Sequence, residues 1–236
     1  MPTDPNSYSR RWFEFFHVGI DEARTIQEVE FVGRVAPLPE FQRVLDLCCG
    51  MGRHARALSK AGYSVVGVDR DADVITQARD LGGGPDYVVG DVRSYQPAPE
   101  AFDAVMVMGQ SFGHFDSGTN RDILRRLADA VRKRGRVILD LWNPEFFIAH
   151  QGERELQTSS GTVREGKRVD GDQLFVELGY PDGAEEKFEW QLFTPEQMTQ
   201  FANSVGLTLL ISCSNFDATT LPSPANPRIQ FLLEAT

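Results

Sequence analysis

Long apolar runs are missing from this 236-residue chain. No stretch approaches the roughly 18 consecutive apolar residues of a membrane-spanning helix, so no membrane partner is expected. Cysteine is scarce: Cys48, Cys49 and Cys213 are the full set of three. Two are adjacent and the third is distant, and no CxxC or Cys/His spacing appears. That argues against a disulfide framework and against a metal site. Reduced, buried thiols in a cytoplasmic protein are the expectation. A basic excess is missing too, since 24 Lys and Arg face 34 Asp and Glu, a formal net charge of -10. An extended nucleic-acid footprint would need a basic face, so no nucleic-acid partner is expected. The opening MPTDPNSYSRRW has no apolar h-region, and no signal peptide is read there. Internal repeats and low-complexity tracts are absent as well. Hydrophobic residues make up 41% and charged residues 25%, ordinary values for a globular protein.

What is present is an alternation of short apolar runs and helical periods. Residues 8–36 mix Trp12, Phe13, Phe16, Ile26, Val29, Phe31 and Val32 at helical spacing, ended by Pro37 and Pro39. Arg43–Leu47 reads as a buried strand, Cys48–Gly52 as a tight turn, and His54–Ala61 as a helix stopped by Gly62. Ser64–Val68 is a second strand ending at Asp69, and Asp71–Asp80 a second helix. Tyr87–Val89, Phe102–Met108 and Arg136–Trp142 are further strands, with a helix over Asn120–Lys133. This alternation implies right-handed βαβ units and a parallel sheet. After residue 146 the pattern changes. Thr162–Val169, Gln173–Gly179 and Lys187–Phe193 read as strands separated by Asp170-Gly171 and Asp182-Gly183, which are hairpin signals. A helix over Pro195–Val205 and strands at Leu207–Ser214 and Arg228–Glu234 close the chain. The expectation is one domain over 1–236. It has a Rossmann-like, seven-stranded, mostly parallel sheet, an N-terminal helical segment over 1–36, and an antiparallel β insertion over 146–193.

The chemistry concentrates at strand ends. Gly50 and Gly52 sit between a strand and a helix, where missing Cβ atoms let a ligand approach the backbone and the helix start offers free N–H groups. Asp69 ends the second strand, where a carboxylate can accept hydrogen bonds from both hydroxyls of a ribose. Asp91 ends the third, where an adenine amino group would be read. Packing alone also explains glycine-rich turns, and Gly50-x-Gly52-x-x-Ala55 fits the dinucleotide pattern. Asp46 inside the strand departs from that pattern, and so does the closing strand pair.

Asp46-Leu-Cys-Cys-Gly-Met-Gly52 resembles the first motif of class I S-adenosylmethionine (SAM)-dependent methyltransferases. Val66-Gly-Val-Asp69, Gly90-Asp-Val92 and the loop after Met108 fall where that family's later motifs fall. Cys48 stands where the commonest form has glycine. The insertion resembles that of small-molecule N-methyltransferases, including sugar-amine and glycine-type enzymes, and Leu141-Trp-Asn-Pro-Glu145 is similar to the same subgroup. By this resemblance the methionine part of SAM lies along Cys48–Gly52, the ribose on Asp69, and adenine between Arg70 and Asp91–Val92. Asp46 either touches the cofactor or only anchors the turn.

Methyl transfer is an in-line displacement at a sulfonium and can run on positioning alone. An amine or hydroxyl acceptor must still lose a proton. His114, in Gly109-Gln-Ser-Phe-Gly-His114-Phe115, is the candidate base, and a hydrogen-bonded loop histidine is the competing reading. His17 is a weaker candidate base, His54 reads as a packing or cofactor-adjacent residue of the first helix, and His150 carries little weight. Trp12, Phe13, Phe15 and Phe16 form either a lid over the cofactor or core packing. The expected activity is SAM-dependent methylation of a small molecule, at nitrogen before oxygen. A nicotinamide-dependent oxidoreductase and a non-catalytic SAM-binding regulator are the alternatives.

Overall fold

The computed structural model describes Asn6, Trp12, Phe15 and residues 21–236. Phe13, Phe16 and His17 lie outside the described residues. The first element, α1 (Glu22–Val35), begins at Asp21, whose carboxylate accepts a hydrogen bond from the Ala23 N–H. It buries Glu28, Phe31 and Val32. The rear of the 1–36 segment is therefore seated in the body of the protein.

A parallel array follows: β1 (Arg43–Leu47), α2 (Arg53–Lys60), β2 (Ser64–Asp69), α3 (Ala72–Asp80), β3 (Asp86–Val89), β4 (Phe102–Val107), α4 (Ser117–Ala130) and β5 (Val131–Trp142). β1 pairs in parallel with β2 and β4, β2 with β3, and β4 with β5. At the chain end come α6 (Pro195–Asn203), β10 (Leu207–Cys213) and β11 (Arg228–Ala235). β11 runs antiparallel to both β5 and β10. The seven-stranded order is β10-β11-β5-β4-β1-β2-β3, so β11 alone is reversed. This is the Rossmann-like arrangement expected from the sequence.

Strand alternation sends successive residues to opposite faces. Val44 therefore joins the core on the α1–α3 side with Phe31, Ala55 and Ile75. Leu45 joins the core on the α4–α6 side with Leu124, Leu127 and Phe201. Burial on both faces explains why β1 and β4 read as mostly apolar runs, interrupted by Asp46 and Asp103. α4 starts three residues before the expected Asn120, because Asp116 caps it through the Thr119 N–H at 3.0 Å. Its end comes earlier than expected too: Val131 already pairs with Phe102, and a register irregularity follows before Arg136.

Between β5 and α6 lie α5 (Pro144–Ala149) and a second sheet of β6 (Gly152–Thr158), β7 (Gly161–Asp170), β8 (Gln173–Gly179) and β9 (Glu185–Gln191). All its pairings are antiparallel, as the hairpin signals imply. β6 goes beyond the expected three strands. It is an edge strand, exposed along most of its length, so it carries no apolar alternation to read. One face of this sheet buries Val163, Leu174, Val176, Leu178, Phe188 and Trp190 against Phe147, forming a third core.

Candidate cofactor and acceptor site

The carboxyl ends of β1 to β5 share one edge. There Cys48 and Gly50 take positive φ values of 62° and 55°, and Gly52 takes 73°. The two glycines serve different ends. A Cβ at Gly50 meets nothing within 4 Å, so its backbone faces open space. A Cβ at Gly52 would sit 2.2 Å from the Tyr87 hydroxyl, so glycine there makes room for a packed ring.

Asp69 binds this turn. Its Oδ2 accepts from the Gly50 N–H at 2.9 Å, and its Oδ1 from the Asp71 N–H at 3.1 Å. Two backbone donors fix the carboxylate and leave lone pairs for a ligand. Asp46 is 1% exposed, and its Oδ2 has no hydrogen-bond partner. Burial pushes its carboxyl up to about 7 against the pull of nearby Arg53 and a bond from the Ala55 N–H. An unpaired buried oxygen of this kind is costly and points to a missing donor. The Cys48 and Cys49 thiols are raised by burial and by neighbouring carboxylates, which keeps them as protonated, inert groups.

At the end of β3, Asp91 is held by Arg93 through Nη2–Oδ2 at 2.6 Å and Nε–Oδ1 at 3.0 Å. That clamp lowers it to about 2, so it stays ionised. The Arg93 guanidinium also stands 5.4 Å over the Phe115 ring. The Val92 carbonyl accepts from Arg126 at 2.9 Å. Arg70 donates from Nη2 to the Asn6 carbonyl at 3.2 Å.

His114 follows β4 and is packed between Trp190, at 5.1 Å between ring centroids, and Phe115, at 6.4 Å. Burial drives it down to about 3, with the Arg70 charge adding and a bond to the Glu189 backbone opposing. The second sheet is fastened to this same loop. Trp190 Nε1 donates to the Gln110 carbonyl at 3.0 Å, and the Gln191 N–H to the Gly113 carbonyl at 2.7 Å. Asn6 adds a third tie: its Nδ2 donates to the His114 carbonyl at 2.8 Å and its Oδ1 accepts from the Glu189 N–H at 2.8 Å. Trp142 meets Phe147 and Trp190 with ring centroids at 5.1 and 6.0 Å.

The structure thus brings Asp46, Cys48, Gly50, Gly52, Asp69, Arg70, Asp91, Val92 and His114 to one edge. His150 is exposed and stacks on Phe146 at 4.1 Å on α5. Sequence reasoning missed the ionic cluster beneath the edge. Glu28, fully buried, pairs with Arg53 and with Arg228 Nη1 at 2.9 Å, and bonds His54 at 2.7 Å. Arg228 continues to Asp140, whose Oδ2 also accepts from the Gly109 N–H at 3.0 Å and Gln110 Nε2 at 2.6 Å. The one available signal was Asp140 itself, an acid inside the apolar run Val137–Leu141.

Residues 44–135 match a family described as a methyltransferase domain. A dTDP-3-amino-3,6-dideoxy-alpha-D-glucopyranose N,N-dimethyltransferase from Streptomyces fradiae is 30% identical over 186 residues, 72% of each chain. The chain belongs to the class I SAM-dependent methyltransferases. A glycine/sarcosine N-methyltransferase from Aphanothece halophytica is 27% identical over 211 residues, 85% of this chain and 76% of that one. Among solved structures, SAM-bound CalS10, an amino pentose methyltransferase from Micromonospora echinaspora, has a TM-score of 0.72 at 18% identity, covering 99% of this chain and 100% of that one. The enzyme is therefore a SAM-dependent methyltransferase, and the nicotinamide-dependent alternative is set aside. Among the described residues no helix is long and apolar enough to cross a membrane.

Proposed function

We propose that this methyltransferase transfers the methyl group of SAM to a nitrogen of a small-molecule acceptor held between the strand edge and the second sheet. The residues fit the cofactor on two observations: the open space over Gly50 and the unpaired buried oxygen of Asp46. In this reading Asp69 takes the ribose hydroxyls and Asp91 the adenine amino group. Val92 and Arg70 flank the adenine, and Cys48, Gly50 and Gly52 shape the turn against the methionine half. SAM, when bound, supplies an electrophilic methyl on a sulfonium whose departure leaves a neutral thioether, so no acid is needed.

The observation that carries the small-acceptor reading is the roof. Its inner face presents Trp190 and Phe188, and it is tied to the loop after β4 at Gln110 and Gly113. A roof fixed there encloses a metabolite and obstructs a duplex or a folded protein. The relatives named for N-methylation of an amino sugar and of glycine or sarcosine favour nitrogen. The net charge of -10 gives a polyanion no broad basic surface, and the three free cysteines fit a reducing, cytoplasmic setting. The domain reading is one catalytic unit over 1–236, with the 1–36 segment as its N-terminal lid and the insertion over 146–193 as its roof.

His114 lines the acceptor side in this reading. A ring held neutral down to about pH 3 accepts a proton poorly at neutral pH. Its role is to orient the acceptor by hydrogen bonding and packing, and the acceptor enters as the free amine. The test is transfer of a labelled methyl group from SAM against panels of amines, phenols, carboxylates, RNA and protein. Label in small amines is the expected result; label chiefly in RNA or protein would overturn the reading.

A further inference from the structure

Trp142 is the last residue of β5. Strand alternation puts it on the same face as Ile138, in the α1–α3 core, and Asp140, in the ionic cluster. It therefore stands just beyond that cluster, where β5 reaches the carboxyl edge. Its ring is perpendicular to that of Trp190 in the roof, at 90° between planes, and steeply inclined to that of Phe147 in α5, at 72°. Trp190 in turn packs on His114. Trp142 thus belongs to the aromatic wall between the loop after β4 and the second sheet.

The two indoles of this wall differ in one respect. Trp190 Nε1 donates to the Gln110 carbonyl at 3.0 Å. Trp142 Nε1 is buried and has no hydrogen-bond partner among the described residues. An indole N–H can only donate, and a buried donor left unpaired is destabilising. A buried water would need roughly two to four polar partners of its own. The two rings packed on Trp142 supply none, since Phe147 has no polar side-chain atom and the Trp190 N–H is already spent on Gln110. A phenylalanine would pack at this position without the unpaired donor. A local rule broken at the rim of a cleft is what a functional site produces, and the atom that completes this one must bring a lone pair.

We propose that Trp142 determines acceptor specificity: its Nε1–H donates to an oxygen of the methyl acceptor. The substrates are then amines that also carry a hydroxyl, ether or carboxylate oxygen, and plain alkylamines are disfavoured. The proposal rests on the acceptor placement under the roof given above. A bond at the oxygen fixes one end of the acceptor and leaves its amine lone pair to be aimed at the methyl group, which is the positioning that an in-line displacement needs.

The test is labelled-methyl transfer by the full chain to amines matched in shape: ethanolamine with propylamine, glycine with isobutylamine, and aminocyclohexanol with methylcyclohexylamine. Each pair differs in whether oxygen or carbon stands at one end. Wild type and Trp142→Phe, which keeps an aromatic ring but loses the N–H, are compared on the pair turned over best. The quantity read is the ratio of kcat/KM for the oxygen member to that for its alkyl partner. Comparing that ratio between the two enzymes cancels differences in amine basicity and any general packing loss, which lowers both members alike. Trp142→Phe is expected to lower the ratio by about threefold to tenfold, the size of one lost hydrogen bond. It should leave the affinity for S-adenosylhomocysteine, measured by calorimetry, within about twofold. An unchanged ratio would overturn the proposal. So would a loss of S-adenosylhomocysteine affinity matching the loss of turnover, because Trp142 would then serve the cofactor. Should Trp142→Phe fail to fold, benzothienylalanine placed at position 142 keeps the shape of the indole, lacks the N–H and gives the same readings. No transfer by the wild type to any amine would instead remove the small-amine reading, and this proposal with it.

Discussion

Protonation of Asp46 gives the most searching test of the proposed site. Its carboxyl moves from an ordinary 3.8 to about 7, chiefly by burial. A shift of that size corresponds to an ionised form destabilised in the fold by on the order of 4 kcal/mol. The sign follows from linkage. The unfolded chain ionises this group near pH 4 and the ligand-free fold near pH 7. The cost is therefore absent below about pH 4, grows as pH rises through that window, and is complete above about pH 7. Asp46→Asn removes it, so the ligand-free variant should gain up to a few kcal/mol over the wild type between pH 4 and pH 8. Urea unfolding at several pH values reads this directly. Cofactor binding supplies the missing partner and should expel the proton. At pH 6 the wild type should release close to one proton on binding S-adenosylhomocysteine, measurable by calorimetry in buffers of different ionisation enthalpy. Affinity should fall by up to about tenfold for each pH unit below 7, and the variant's weaker affinity should be flat. Parallel stability curves for the two proteins, or wild-type affinity unchanged from pH 8 to pH 5.5, would refute the reasoning.

Asp69→Ala should lower S-adenosylhomocysteine affinity by at least about tenfold, through loss of charge-assisted bonds to ribose; a change under about threefold by calorimetry contradicts the ribose assignment. Gly50→Ala and Gly52→Ala should separate. The first adds about 1 kcal/mol of left-handed strain but blocks the ligand, so thermal melting moves little while affinity collapses. The second also meets Tyr87 and should destabilise by about 3 kcal/mol; equal melting temperatures for the two variants would contradict this. His114→Ala should reduce turnover without reshaping the pH–rate profile between pH 5 and pH 8, because the ring does not titrate there; disappearance of a limb near pH 6.5 would restore it as a base. Binding of S-adenosylhomocysteine should slow hydrogen exchange at the Glu189 amide, which Asn6 holds; equal protection with and without ligand would count against the lid.

Much of the fold was legible because the strands around β1 are buried on both faces and so read as apolar runs between helical periods. The cofactor edge was legible for a different reason. Glycine, an in-strand acid and strand-terminal acids each answer a local geometric demand within a few residues. What escaped reading depends on long-range contact. β6 is a strand only because β7 offers it an edge. Glu28 looks like one more surface acid of an amphipathic helix, yet it lies buried among arginines from α2 and β11. The burial of His114 against Trp190, which lowers its basicity, is likewise not encoded in the loop sequence.

The most direct test of the account is a crystal structure of the full chain with S-adenosylhomocysteine bound. The ribose hydroxyls should lie within hydrogen-bond distance of Asp69, the ammonium at Asp46 Oδ2, and the sulfur should point beneath the Trp190 roof. A ligand seated elsewhere, or one whose ribose makes no contact with Asp69, would contradict it.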